Sequence, residues 1–274
     1  MNRIDRIFQD LRATGGKALM PFLTAGDPDL PATAQLLPAI EQAGASVVEV
    51  GIPFSDPIAD GPVIQASMSH ALERGVRVSA ILEMIASVRP RLSIGLVAMV
   101  SYSIVHRLGL DRWVQQAKAA GFDGFIFPDL PLEESRPAQE AVASAGMILS
   151  MLIAPTTPIE RARQIAQASS GFVYLLSRAG ITGERATLPP DLPQRISQLR
   201  QITDLPIAVG FGISNAQQVG QVVSVADAAI VGSALMRQVA QHRQEPPQVM
   251  TAQVGRFVEQ LAAGLPSKPA AIKR

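Results

Sequence analysis

The chain predicts a single (β/α)8 TIM barrel with an extra N-terminal helix and additional helices. Three observations point there. Eight short apolar runs, at about 18–23, 46–51, 93–99, 123–127, 147–153, 172–176, 206–210 and 228–232, are each followed by a helical segment. The runs are apolar throughout and not alternating, as strands are when both faces of a parallel sheet are covered. Small-residue–glycine breaks precede several of them, at Ala43-Gly44, Ala120-Gly121, Ala145-Gly146 and Ser170-Gly171, where a left-handed residue would stop a helix. Eight such units in roughly 250 residues match a closed barrel. An open doubly wound sheet is the runner-up, weakened because no Gly-x-Gly-x-x-Gly follows the first strand.

The elements follow in order. Met1 to Phe8 alternates charged and apolar residues, which predicts an amphipathic helix over 2–12 and not a signal peptide. The stretch between 62 and 90 holds two helical patterns inside one βα unit. No apolar run is long enough to span a bilayer. From 264 onward the chain reads Gly-Leu-Pro-Ser-Lys-Pro-Ala-Ala-Ile-Lys-Arg, so a barrel domain over 1–263 and a frayed basic tail over 264–274 are expected. The 274 residues are 47% hydrophobic and 17% charged, enough for one large core. A net charge of +1 gives no electrostatic case for nucleic acid or membrane. Without cysteine there are no disulfides and no thiolate metal sites, which is compatible with a cytoplasmic enzyme.

Barrel chemistry sits where strands end and βα loops begin. Glu49 stands inside the apolar run Val47-Val48-Glu49-Val50, and an ionised carboxylate there would cost several kcal/mol unless partnered or protonated. A second acid, Asp60, ends the loop that follows. Two carboxylates in different environments can divide acid and base work. Asp60 also precedes Gly61-Pro62, so a helix cap is its plain alternative. Glycine-rich turns at Gly210-Phe211-Gly212-Ile213-Ser214 and Gly232-Ser233 adjoin the last two strands. There, helix starts opened by Ser214 and Ser233 would present free N–H groups to a phosphate. Asp129, between Pro128 and Pro131, either orients a neighbour or stabilises a turn. The segment from Ser177 to Pro190, hinged by Gly180 and Gly183, reads as a lid. His70, His106 and His242 lie away from strand ends with no second ligand at metal spacing, so no metal site is expected. No nucleophilic triad or P-loop is visible. One tryptophan, Trp113, and two tyrosines give little support for base stacking.

Five strings carry a resemblance to one family: Pro21 to Pro28, Glu49 to Pro62, Pro128 to Pro131, Leu175 to Gly183, and Gly210 to Ser214. They resemble the α subunit of tryptophan synthase, and the likeness extends from about 4 to 236. The resemblance implies aldol cleavage of indole-3-glycerol phosphate to indole and glyceraldehyde 3-phosphate. It assigns Glu49 as the main acid/base and Asp60 as the partner of the indole N–H. Phe22 and Tyr174 become substrate-pocket residues. Gly183, Phe211, Gly212, Gly232 and Ser233 become the phosphate site, and Thr182 the lid residue closing onto Asp60. It further implies a pyridoxal-phosphate β subunit in an αββα heterotetramer, faced by Pro53, Asp56, Ile58 and Pro131, with no cofactor in this chain. The expected location is cytoplasmic; a plastid location stays open. A stand-alone lyase releasing free indole is the alternative, and a catalytically silent binding partner the third reading. One departure stands out: Met99-Val100-Ser101-Tyr102-Ser103-Ile104 replaces the family's usual Met-Thr-Tyr-Tyr-Asn-Pro string, in a region that contacts the partner.

Overall fold

The computed structural model describes residues 1–57, 60–177, 189–210 and 212–266. Nine parallel strands are formed: β1 (Ala18–Thr24), β2 (Val47–Gly51), β3 (Gly95–Met99), β4 (Gly124–Ile126), β5 (Ile148–Ser150), β6 (Leu152–Ile153), β7 (Val173–Leu176), β8 (Ile207–Gly210) and β9 (Ala228–Val231). Their order is β5-β4-β3-β2-β1-β9-β8-β7-β6. The two ends of that order, β5 and β6, are consecutive pieces of the fifth predicted run, so the sheet closes on itself as eight staves. The break at Met151 differs from the continuous strand expected over 147–153. Its cause is local: the Ser170 hydroxyl accepts the Leu149 N–H at 2.9 Å, and the Ser169 hydroxyl accepts the Met151 N–H at 3.3 Å. Side chains thus replace ladder carbonyls at that point.

Around the barrel run α1 (Arg3–Ala13), α2 (Leu30–Gln42), α3 (Pro62–Glu73), α4 (Val78–Val88), α5 (Tyr102–Leu108), α6 (Leu110–Ala120), α7 (Arg136–Ser144), α8 (Ile159–Ala168), α9 (Leu192–Arg200), α10 (Ala216–Val223), α11 (Ser233–His242) and α12 (Pro247–Ala262). The N-terminal helix and the paired helices between 62 and 90 are where the pattern placed them. Gly121 ends α6 in the left-handed region at φ 103°, as its break predicts. Of the frayed tail expected over 264–274, the first residues differ, since Leu265 packs against the outer core; residues from 267 on lie outside the described ones.

Period-two geometry sorts the strands into two cores. Ala18, Met20, Val47, Val97, Ile126, Phe172, Tyr174, Ala208, Ala228 and Ile230 pack together inside the barrel. Ile4 and Phe8 of α1 join that cluster and close the N-terminal mouth, with the Phe8 and Phe172 rings 6.0 Å apart. The alternate residues, such as Val48, Val50, Leu96 and Val209, pack outward against the helices. The inside is therefore a packed core at its base, and space for chemistry exists only at the other mouth.

Two aspartates pin the closed mouth. Asp123, before β4, accepts the Leu96 N–H of β3 at 2.8 Å and faces Arg3 and Arg89 at 3.4 and 3.5 Å. Asp227, before β9, accepts the Ile207 N–H of β8 at 2.9 Å and pairs with Arg200 and Lys17. Burial pushes the Asp227 carboxyl up, but the Ile207 N–H, Arg200 and Lys17 outweigh it and hold the group below its ordinary value. Its stabilisation is therefore present above that value and lost as pH falls. Asp227→Ala is expected to cost roughly 2–4 kcal/mol in urea denaturation, because it strands a strand N–H and a partly buried arginine. An unchanged midpoint would show that the pin carries no stability.

Candidate active site

Glu49 is the central residue of β2, and the same alternation that turns Val47 inward turns Glu49 into the barrel. It is fully buried, and neither carboxylate oxygen has a hydrogen-bond partner among the described residues. Burial alone raises its carboxyl well above the ordinary range. A structural acid would be paired; this one has no partner among the described residues, so burial favours its protonated form. Its register partners are Phe22 on β1 and Val97 on β3. Phe22, 4% exposed, lies across the open mouth from Glu49's strand to β9. A Cβ on Gly51 would collide with the Phe22 ring, and one on Gly232 would sit 3.6 Å from Phe22 Cβ. Gly51 thus makes room for the ring, a role the sequence reading missed although the glycine stood in plain view at the strand end.

Asp60 lies close enough to act, with Glu49, on Tyr174. Its carboxyl is raised to about 6, by burial. Its backbone is fixed by its own N–H to the Pro57 carbonyl at 3.0 Å, and by the Gln65 side-chain amide donating to its carbonyl at 2.7 Å. The capping alternative fails: Gly61 occupies the cap of α3 and no side chain caps that helix. Tyr174, the second residue of β7, ties the two acids together. Its hydroxyl is pushed well above its ordinary value first by burial, then by Glu49 and Asp60, so all three share one electrostatic neighbourhood. A Cβ on Gly210 would clash with the Tyr174 hydroxyl. Gly210 accordingly makes space for the tyrosine.

The phosphate end needs one correction. Gly212 takes the left-handed conformation, φ 83°, that only glycine adopts without strain. But Ser214 does not open α10. Asn215 caps it by accepting from the Gln218 N–H at 2.9 Å, and the Ser214 N–H is itself consumed by the Gln218 side chain at 2.8 Å. At the α11 start, Gly232-Ser233, no side chain makes a cap.

Thr182, Gly183, Phe211 and Ile58 lie outside the described residues, as does most of the expected lid. Of the residues expected to face a partner, Asp56 and Pro131 are exposed while Pro53 is buried. Asp129 orients a neighbour: it accepts the Ser101 hydroxyl at 2.6 Å and the Tyr102 N–H at 2.7 Å, holding the start of α5. The departing string after β3 is thus anchored to the Pro-Asp-Leu-Pro turn after β4. The histidines also differ from expectation. His70 Nδ1 lies 2.9 Å from Asp27 Oδ1, and His242 Nδ1 3.1 Å from Glu245 Oε1. The Asp27 contact joins residues far apart in sequence, which no local spacing could reveal. No group of three or more potential metal ligands occurs among the described residues. Nor is any helix of the described residues long and apolar enough to cross a membrane.

Comparison with known proteins agrees with this geometry. The family model described as tryptophan synthase alpha chain matches residues 8–265. The tryptophan synthase alpha chain of Thermosynechococcus vestitus is 44% identical, covering 96% of this chain and 97% of the relative. That of Prochlorococcus marinus is 45% identical, covering 94% of each. Among solved structures, Mycobacterium tuberculosis tryptophan synthase superposes with a TM-score of 0.88 at 31% identity, covering 98% of this chain and 99% of that one. The Legionella pneumophila alpha chain gives 0.83 at 33% identity, covering 95% and 97%. The chain therefore belongs to the tryptophan synthase alpha chain family, and its role is that of the alpha subunit in tryptophan biosynthesis.

Proposed function

We propose that the chain is a carbon–carbon lyase that cleaves indole-3-glycerol phosphate to indole and glyceraldehyde 3-phosphate, with Glu49 and Asp60 as its acid/base pair. The observation that carries this reading is Glu49: a fully buried carboxyl inside the barrel without a partner among the described residues, raised by burial well above the ordinary carboxyl range. Retro-aldol cleavage needs a proton delivered to indole C3, and Glu49 has one to give. As the C3–glycerol bond then breaks, the glycerol hydroxyl loses its proton to the resulting Glu49 carboxylate, and an aldehyde forms. Asp60, raised only to about 6, is largely ionised near neutrality and accepts the indole N–H, stabilising the cationic indolenine. Phe22 and Tyr174 shape the indole pocket. Gly212, Gly232 and Ser233 hold the phosphate together with Phe211 and Gly183, and Thr182 closes the lid over Asp60.

The partner is a β subunit carrying pyridoxal phosphate, assembled as an αββα heterotetramer that takes up the indole in a cytoplasmic setting. Asp56, Ile58 and Pro131 face it, while Pro53, expected with them, is buried, and this chain itself carries no cofactor. The altered Ser101-Tyr102-Ser103-Ile104 string favours a second reading, a stand-alone lyase releasing indole. Assaying indole release by the purified chain, with and without an added β subunit, separates the two. Strong activation is expected; high activity unchanged by the β subunit would favour the stand-alone enzyme, and no cleavage in either case would refute both.

A further inference from the structure

We propose that the turn after β1 is a clamp that sets the position of α3 relative to α11, with Asp27 as its positioning residue. The inference rests on the functional reading above, since each helix begins at one half of the site. α3 starts at Pro62, two residues after Asp60, and α11 starts at Ser233 of the phosphate end. A substrate with its indole at one helix start and its phosphate at the other is sensitive to the register between them.

Two rungs join the helices through β1. At the first, Thr24 Oγ1 lies 2.6 Å from Ser67 Oγ on α3, both buried, while the Thr24 N–H points at Met236 Sδ on α11 at 3.4 Å. At the second, Asp27 places its carboxylate 2.9 Å from His70, three residues further along α3. The same carboxylate lies 3.1 and 3.2 Å from Arg243, the residue just past α11. Asp27 is fully buried. Burial raises its carboxyl even against the opposing pull of Arg243 and His70. Such a group is a weak source of net stability but a strict one of geometry, because a buried carboxylate tolerates only positions that keep Arg243 and its polar partner in reach. A displacement of about 1 Å between reacting groups can cost on the order of 100-fold in rate.

The test uses half-ligands. Inorganic phosphate probes the α11 half alone, and indole probes the Glu49 and Asp60 half alone. In Asp27→Asn and Arg243→Met, calorimetric affinity for each half-ligand is expected to stay within about twofold of wild type, while kcat/KM for indole-3-glycerol phosphate falls roughly 10–100-fold. Arg243→Lys, which keeps a cation beside Asp27, is expected to recover most of that loss. If Asp27→Asn does not fold, Ser67→Ala removes the upper rung without stranding a buried charge and should show a milder loss of the same kind. Unchanged turnover in the folded variants overturns the clamp. So does a parallel fall in both half-ligand affinities, which marks general loosening of the fold. A wild-type chain that binds both half-ligands but does not cleave the full substrate would instead sink the lyase reading, and with it the clamp's purpose.

Discussion

Glu49→Gln is expected to lower turnover of indole-3-glycerol phosphate by about 10³-fold or more, since the variant can neither donate a proton to C3 nor take one from the hydroxyl. The same change is expected to stabilise the fold. Burial raises the Glu49 carboxyl well above its ordinary value. A raised carboxyl loses stability as pH climbs from its unfolded to its folded value, because only the unfolded chain ionises it freely there. Glutamine does not titrate, so the melting temperature of the variant should overtake that of wild type, with the gap widening from about pH 5 upward. Loss of activity combined with a gain in stability is the signature of an acid kept for chemistry. Near wild-type cleavage, or a variant that melts below wild type at alkaline pH, would contradict it.

Asp60→Asn carries the second-largest effect, a fall in turnover of about 10²- to 10⁴-fold with folding retained. The amide can still meet an indole N–H through its oxygen but cannot neutralise the positive intermediate. The pH profile gives an independent reading. With Asp60 raised from 3.8 to about 6, kcat/KM of wild type should fall as pH drops below about 6, where the base becomes protonated. On the alkaline side it should fall again as Glu49 loses its proton, which yields a bell. That shift corresponds to roughly 3 kcal/mol of differential cost, so stability should hold or rise when the charge is removed. A variant that retains the acid limb near 6 would assign that limb to another group.

The strands were legible because each is a short apolar run, several of them preceded by a small residue and glycine, and that pattern is local. Glu49 was legible for the opposite reason, as a charge where burial forbids one. Asp60 was not: beside Gly61-Pro62 it had the form of a helix cap, and only its position beside Tyr174, with the cap already held by Gly61, removes that reading. Ser214 misled for the same reason. Its place before a helix fits a cap, but Asn215 one residue later makes the capping bond and Gln218 takes the serine N–H. Gly51 and Gly210 resembled ordinary strand-end glycines, whereas each yields space to an aromatic ring on a neighbouring strand or stave.

By itself, then, the order of residues determined the eight-stave parallel barrel, the burial of Glu49 in a strand and the helical stretches expected at 2–12 and between 62 and 90, because periodicity and chain breaks act over a few residues. What only the tertiary structure decided are the relations across long stretches of chain. They include Asp27 between His70 and Arg243, Asp129 under the start of α5, and Asn215 in place of Ser214 as the cap of α10. The physical reason is that these depend on which side chains closure of the barrel brings within about 3 Å of one another, and no local spacing encodes that distance.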